Sequence, residues 1–148
     1  MRFMVLGKAN ENTEAGVLPT SEQLAEMDAF QEKLVEAGVL RAYYGLQASS
    51  KGARIRFDGD KRTVIDGPFA ETKELIAGFC IVEVGSKEEA IELFSRAPLS
   101  IGDEMELRQV YEADVFGEDL AGAVRAQRER LRSAASGRER PAEPDSPW

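Results

Sequence analysis

The segments "FMVLG" (3–7) and "FCIVEV" (79–84) are nearly unbroken apolar runs, and they restrict the fold of this chain more than any other feature. Both are rich in β-prone residues, so each reads as a strand. Neighbouring side chains along a strand point to opposite faces, so each run puts apolar groups on both faces of a sheet. Only two segments before residue 117 have helical periodicity, and two helices can cover one face. Leaving the other face wet would forgo several kcal/mol, at about 25 cal/mol per Å² of apolar area. The simplest cover is a second copy of the same sheet, so a homodimer is expected.

The first helical segment, "TSEQLAEMDAFQEKLVEAGVL", opens on Thr20 with Gln23 three residues later, a capping box. Leu24, Met27, Phe30, Leu34 and Val35 recur at helical spacing, and Gly38 is placed to end the helix. Ser86 and Glu89 form a second box, followed by Ala90, Ile91, Phe94 and Ala97 on one face, with Pro98 beyond. Strands are predicted over 2–8, 40–47, 77–84 and 104–116, with an ordered loop at "ANENTEAGVLP". "RIRFDGDKRTVID" (54–66) reads as a hairpin turning at Asp58-Gly59. The order is βα, hairpin, βα, β. It predicts an α+β domain over 1–117, a ferredoxin-like antiparallel sheet with two helices on one face. Residues 118–148 read as an appendage: Leu120, Val124, Gln127 and Leu131 stripe a short helix, and the Ser, Gly, Pro and charge that follow predict a disordered tail.

The 148 residues suffice for one real core. The net charge of −8 lies on residues 1–117, since the acids and arginines of 118–148 cancel. Such a body repels phosphate backbones, so nucleic-acid binding is not expected. The opening apolar run is too short for a secretory signal and nothing approaches a membrane span, so a soluble cytoplasmic protein is the expectation. The chain contains no histidine and one cysteine, Cys80. Ser-His-Asp and Cys-His nucleophile systems, histidine metal sites and thiolate zinc sites are thereby excluded. No phosphate-binding loop is present, and neither cofactor nor metal is expected.

The remaining candidate is "VIDGPFAETKELIAGF" (64–79). Asp66 follows a strand and precedes Gly67-Pro68, so its carboxylate can accept backbone N–H bonds and fix the turn. The same elbow can serve a site, with Phe69 as an apolar wall and Asp66, Glu71, Lys73 and Glu74 as ionisable groups. A carboxylate partly desolvated beside an aromatic ring could act as acid or base. The segment "SSKGARIR" adds Ser49, Ser50 and Lys51 on one loop and Arg54 and Arg56 on one strand face, which with Arg62 would form an anion-binding patch. The alternative for these arginines is weak cross-strand ion pairing. Tyr43 and Tyr44 read as packing residues, one hydroxyl at a pocket rim.

"DGPFAETKE" (66–74) resembles the signature of the DGPF proteins within the YCII-related superfamily. The resemblance extends over "MRFMVLGKANENTEAGVLP", "SSKGARIRFDGDKRTVIDGPFAETKELIAGF" and "ELRQVYEA", and stops near Gly117. It implies a ferredoxin-like fold assembling as a dimeric α+β barrel. Some relatives are held to use a His–Asp pair, one branch dechlorinates a hydroxyquinone, and many members are associated with extracytoplasmic-function sigma factors. Relatives often read "GLHPSSKGAR" where this chain has Gln47 and Ala48, so Asp66 lacks a histidine partner. Two functions are therefore expected to compete. The first is a homodimeric binding protein for a small molecule, anions included. Its cleft would be lined by Ser49, Ser50, Lys51, Arg62, Phe69, Lys73 and Glu74, with weak lyase- or hydrolase-like chemistry at Asp66. The alternative is a regulatory module acting with a sigma factor.

Overall fold

The computed structural model describes residues 1–136, and Lys73 by its backbone alone. Residues 137–148, where most of the expected disordered tail falls, lie outside the described residues. Contacts divide the chain into two compact units, Met1–Val110 and Tyr111–Trp148.

In the first unit the elements run β1 (Arg2–Lys8), α1 (Glu11–Glu14), α2 (Ser21–Glu36), β2 (Leu40–Gly45), β3 (Ala53–Asp58), β4 (Lys61–Asp66), β5 (Ile76–Glu83), α3 (Lys87–Phe94) and β6 (Met105–Gln109). Four strands form one antiparallel sheet in the order β2-β5-β1-β6, with β3 and β4 paired apart from it as a two-stranded hairpin. This is the expected α+β arrangement with a ferredoxin-like strand order.

The register of β1 and β5 sets Phe3 against Val82, Val5 against Cys80 and Gly7 against Gly78. Cross-strand partners share a face, so Phe3, Val5, Cys80 and Val82 point to one side. There they meet Leu34 of α2 and Ala90 and Phe94 of α3 in a buried cluster. Phe30 and Phe94 close it edge to face, with ring centroids 5.7 Å apart. The opposite face carries Met4, Leu6, Phe79, Ile81 and Tyr44. Leu6 is buried, the next three of β1 and β5 are half-buried, and Tyr44 is exposed.

Local signals explain most element boundaries. Thr20 accepts from the Gln23 N–H while the Gln23 side chain accepts from the Thr20 N–H, so the capping box of α2 forms as expected. Gly38, at φ 69°, ends that helix, and the Val39 N–H reaches back to the Leu34 carbonyl. At α3, Ser86 accepts from the Glu89 N–H, but Glu89 accepts from Gly85 rather than Ser86, so the second box is displaced by one residue. The short α1 replaces part of the expected loop, because Asn10 and Thr13 cap it reciprocally. Val35 and Ile91 lie off the core faces assigned to them; Val35 is 62% exposed, against 2% for its neighbour Leu34.

The second unit begins where a longer final strand was predicted. β6 stops at Gln109, and residues Ala113–Phe116 form a 3₁₀ turn ended by Gly117 at φ 77°. Helix α4 (Glu118–Ser136) follows. Its Arg128 donates to the Tyr111 carbonyl and pairs with Glu112 at 3.3 Å, while the Tyr111 and Phe116 rings lie 5.7 Å apart. The least exposed positions of α4 are Ala121, Val124 and Arg128, so its shielded stripe is offset from the expected Leu120–Leu131 line.

Because Leu34 is the anchor of α2, Leu34→Ala is expected to cost about 2–5 kcal/mol of unfolding free energy. Val35→Ala, one residue along, should change it by less than about 0.5 kcal/mol. Urea denaturation of the two variants checks the assignment of the helix face.

Candidate functional site

Two features of the first unit have the chemistry of a site: the elbow at Asp66–Phe69 and a cavity between α2 and the sheet.

The elbow is held by Ser49. A 3₁₀ turn at Ser49–Lys51 brings this side chain between α1 and the chain at Phe69. The Ser49 hydroxyl donates to the Glu14 carboxylate and accepts from the Phe69 N–H at 3.0 Å. The Ser49 N–H also donates to Glu14, at 3.1 and 3.3 Å to its two oxygens. The Gly67 N–H donates to the Gly52 carbonyl at 3.0 Å, and the Gly67-Pro68 peptide bond is cis. A Cβ on Gly67 would lie 1.8 Å from the Ser49 carbonyl oxygen, so only glycine allows this approach.

Asp66 does not fix the turn. Its carboxylate is exposed and has no hydrogen-bond partner among the described residues; Ser49 and Gly52 supply the bonds expected of it. The wall offered by Phe69 is occupied, since the Arg54 guanidinium stacks 3.9 Å above its ring.

The other sequence candidates disperse. Arg62 lies about 13 Å along β4 from Asp66, at 3.3 Å per residue. It stacks on Phe57 at 4.3 Å and donates to the Gly59 and Lys61 carbonyls. Strand pairing sets Arg54 opposite Ile65 and Arg56 opposite Thr63, whereas Arg62 is opposite Phe57. The alternation of side chains therefore puts Arg62 on the other face of the hairpin from Arg54 and Arg56, and the three do not form one patch. Ser50 and Lys51 are exposed beside Ser49. Glu74 lies near Lys8, whose ammonium is held above the usual lysine range first by the hydrogen bond it donates to the Glu106 carboxylate and then by the charge of Glu106 and, more weakly, that of Glu74. The Lys73 side chain lies outside the described residues.

The cavity is the feature that sequence reading missed. It has a volume of about 730 Å³. The sheet supplies its floor through Val5, Gly7, Tyr43, Gly45, Gly78 and Cys80, and α2 supplies its roof through Gln23, Leu24, Met27, Phe30, Gln31 and Leu34. The cluster at Leu34 and Phe94 closes the inner end. At the mouth stand two apolar loops, Val17-Leu18-Pro19 and Pro98-Leu99 with Ile101. Their bases are tied together where the Asn10 amide donates to Asp103 at 3.0 Å.

Polar and charged residues make up a minority of the lining, Tyr43, Gln31 and Gln23 among them. Burial, and then the neighbouring Cys80, raises the Tyr43 phenol above its ordinary value, and Gln31 opposes the rise through a hydrogen bond. Burial also pushes the Cys80 thiol up to about 11, so it is protonated at neutral pH and behaves as an apolar wall. Charged lining groups are Glu11, Asp103 and Glu104 against Lys8, which pairs with Glu106 at 2.9 Å. None of Ser49, Ser50, Lys51, Arg62, Asp66, Phe69 or Glu74 belongs to the lining of this cavity.

The family profile described as the YCII-related domain matches residues 1–114. The chain belongs to the YCII-related family. An uncharacterised protein of Rhizobium meliloti (strain 1021) is 38% identical to this YCII-related chain over 69 residues. That match covers 47% of this chain and 56% of the relative, so it spans little more than half of the relative's length. Among solved structures, 5-chloro-2-hydroxyhydroquinone dehydrochlorinase of Burkholderia phenoliruptrix AC1100, in complex with 2,5-dihydroxybenzoquinone, is similar over 75% of this chain and 95% of its own. The TM-score is 0.37 and the identity 17%.

Ser49→Ala removes the acceptor of the Phe69 N–H and a donor to Glu14, and should destabilise by about 1–3 kcal/mol. Asp66→Ala, at an exposed carboxylate without a partner, should fall within about 0.5 kcal/mol of the parent. Chemical denaturation of the pair distinguishes the residue that holds the elbow from the one that only decorates it.

Proposed function

We propose that this YCII-related protein, assigned to the DGPF branch by "DGPFAETKE" at 66–74, is a binding protein for an uncharged, mainly apolar small molecule. The observation carrying this reading is the cavity of about 730 Å³ beneath α2, within the range of ligand pockets and lined mostly by apolar side chains. Its acids outnumber its one lysine, which is already paired, so a bound anion would face net repulsion. The anionic ligand suggested by the "SSKGARIR" segment is therefore not part of the proposal. Neither is acid–base chemistry at Asp66, whose carboxylate lies outside the lining. The elbow's role in this reading is to set α1 and the loop after it, which form one side of the mouth.

A homodimer is the second part of the proposal. Tyr44, with Met4, Phe79 and Ile81 beside it, leaves apolar surface on the sheet face opposite α2 and α3. Packing this face on its copy would bury it by one two-fold contact. No helix among the described residues is long and apolar enough to cross a membrane.

A thermal-shift screen of small uncharged metabolites is expected to return compounds that raise the melting temperature. Met27→Lys, which places an ammonium in the roof of the cavity, should abolish those shifts. Hits that act equally on this variant, or a screen without hits, would refute the cavity as the site. Light scattering at micromolar concentration should report a dimer, and Ile81→Arg a monomer. A monomeric parent protein would overturn the dimer.

A further inference from the structure

The floor of the cavity contains a row of glycines that the backbone does not require. Gly45, Gly78 and Gly7 lie side by side on β2, β5 and β1, paired in register. None of the three has a positive φ. A Cβ on Gly45 would meet nothing within 4 Å, and one on Gly7 only the Gly78 carbonyl, at an ordinary 3.7 Å. Gly78 alone is crowded, its Cβ falling 3.0 Å from the Tyr44 carbonyl. Glycine inside a strand costs about 0.5–1 kcal/mol relative to alanine. At Gly7 and Gly45 that cost secures neither a special backbone angle nor a close approach of two chains. It secures open space over bare sheet.

The shape of that space follows from strand geometry. Three strands at about 4.8 Å spacing give a side-chain-free strip roughly 10 Å across. The N–H and C=O groups of Gly78 and Gly7, on the inner strands, lie in the plane of the antiparallel ladder, so the face of the strip offers dispersion contact, and only at Gly45 on the edge strand do backbone groups point outward at its rim. Dispersion falls steeply with separation, and a gap of 0.5–1 Å loses about a quarter to a half of the attraction. Only a flat body can keep all of its atoms at contact distance from such a strip. A polar atom laid on it would go unpaired, at a cost of about 1–3 kcal/mol. Polar substituents are served at the edge, by the Tyr43 hydroxyl and the Gln31 amide that line the same cavity.

We infer that the glycine row selects a flat, uncharged ring system, which lies face down on Gly45, Gly78 and Gly7 with its polar substituents turned towards Tyr43 and Gln31. The inference rests on the cavity being the ligand site.

The test compares three probes by isothermal titration: 1-naphthol, decahydro-1-naphthol and 1-naphthoate. The first two share a carbon skeleton and a hydroxyl, but only the first is flat. The expected result is that 1-naphthol binds at least tenfold more tightly than decahydro-1-naphthol, and that 1-naphthoate does not bind. Gly45→Val should keep or raise the melting temperature, since its side chain enters open space, yet weaken 1-naphthol at least tenfold. Gly7→Ala supplies the same comparison should the valine variant fail to fold. Equal binding of the two alcohols, failure of both to bind, or undiminished 1-naphthol binding by the glycine variants overturns the inference. Those outcomes leave the cavity reading standing where screen hits still vanish in Met27→Lys, so the two failures are told apart.

Discussion

The pairing of β1 with β5 is the constraint on which the rest of the first unit depends. Because side chains alternate, a slip of β1 by one residue would turn Phe3 and Val5 away from α2 and α3 and present Met4 and Leu6, and a slip of β5 would likewise exchange Cys80 and Val82 for Phe79 and Ile81. The same register aligns Gly7 with Gly78. One set of hydrogen bonds thus defines a layer that is filled at one end and hollow at the other. Helix α2 spans both regions: Leu34 packs on the filled end, while Met27 and Leu24 stand over the hollow one.

Such a layer explains why the polar chemistry of this protein sits at its margins. The buried side chains of the first unit are apolar throughout, and no buried polar or charged residue occurs among the described residues. Charges gather instead in exposed pairs such as Arg41–Glu83 at 2.9 Å, which add little stability. The elbow is the exception in kind, since a single hydroxyl at Ser49 joins α1 to the segment at Phe69 through bonds that are only partly buried.

The parts that could be read from sequence were those governed by local rules. Thr20 and Gln23 cap α2 because their spacing alone sets the geometry, and the 54–66 hairpin follows from alternation around Asp58-Gly59. Apolar runs gave the two central strands and their two-sided character. What escaped depended on register between distant segments. Gly7, Gly45 and Gly78 are unremarkable singly, and nothing in the chain announces that pairing brings them into one row. Glu14 could not be linked to Ser49 for the same reason. Asp66 misled because its Gly-Pro context is a strong local turn signal, whereas the acceptor for the turn comes from a loop that precedes the hairpin. The arginines misled through shared composition: Arg54, Arg56 and Arg62 look like a cluster until pairing assigns them to opposite faces.

The approach of Gly67 to the Ser49 carbonyl has a bearing on how this segment can change over time. A side chain at 67 would have to displace that carbonyl, and with it the hydroxyl that bonds Glu14 and Phe69. The turn at 49–51 and the elbow at 66–69 therefore behave as one unit of heredity: neither can drift alone, and a tolerated replacement in one calls for a matching replacement in the other. Two stretches separated by an entire hairpin share a single allowance for variation, set by the width of one missing methyl group.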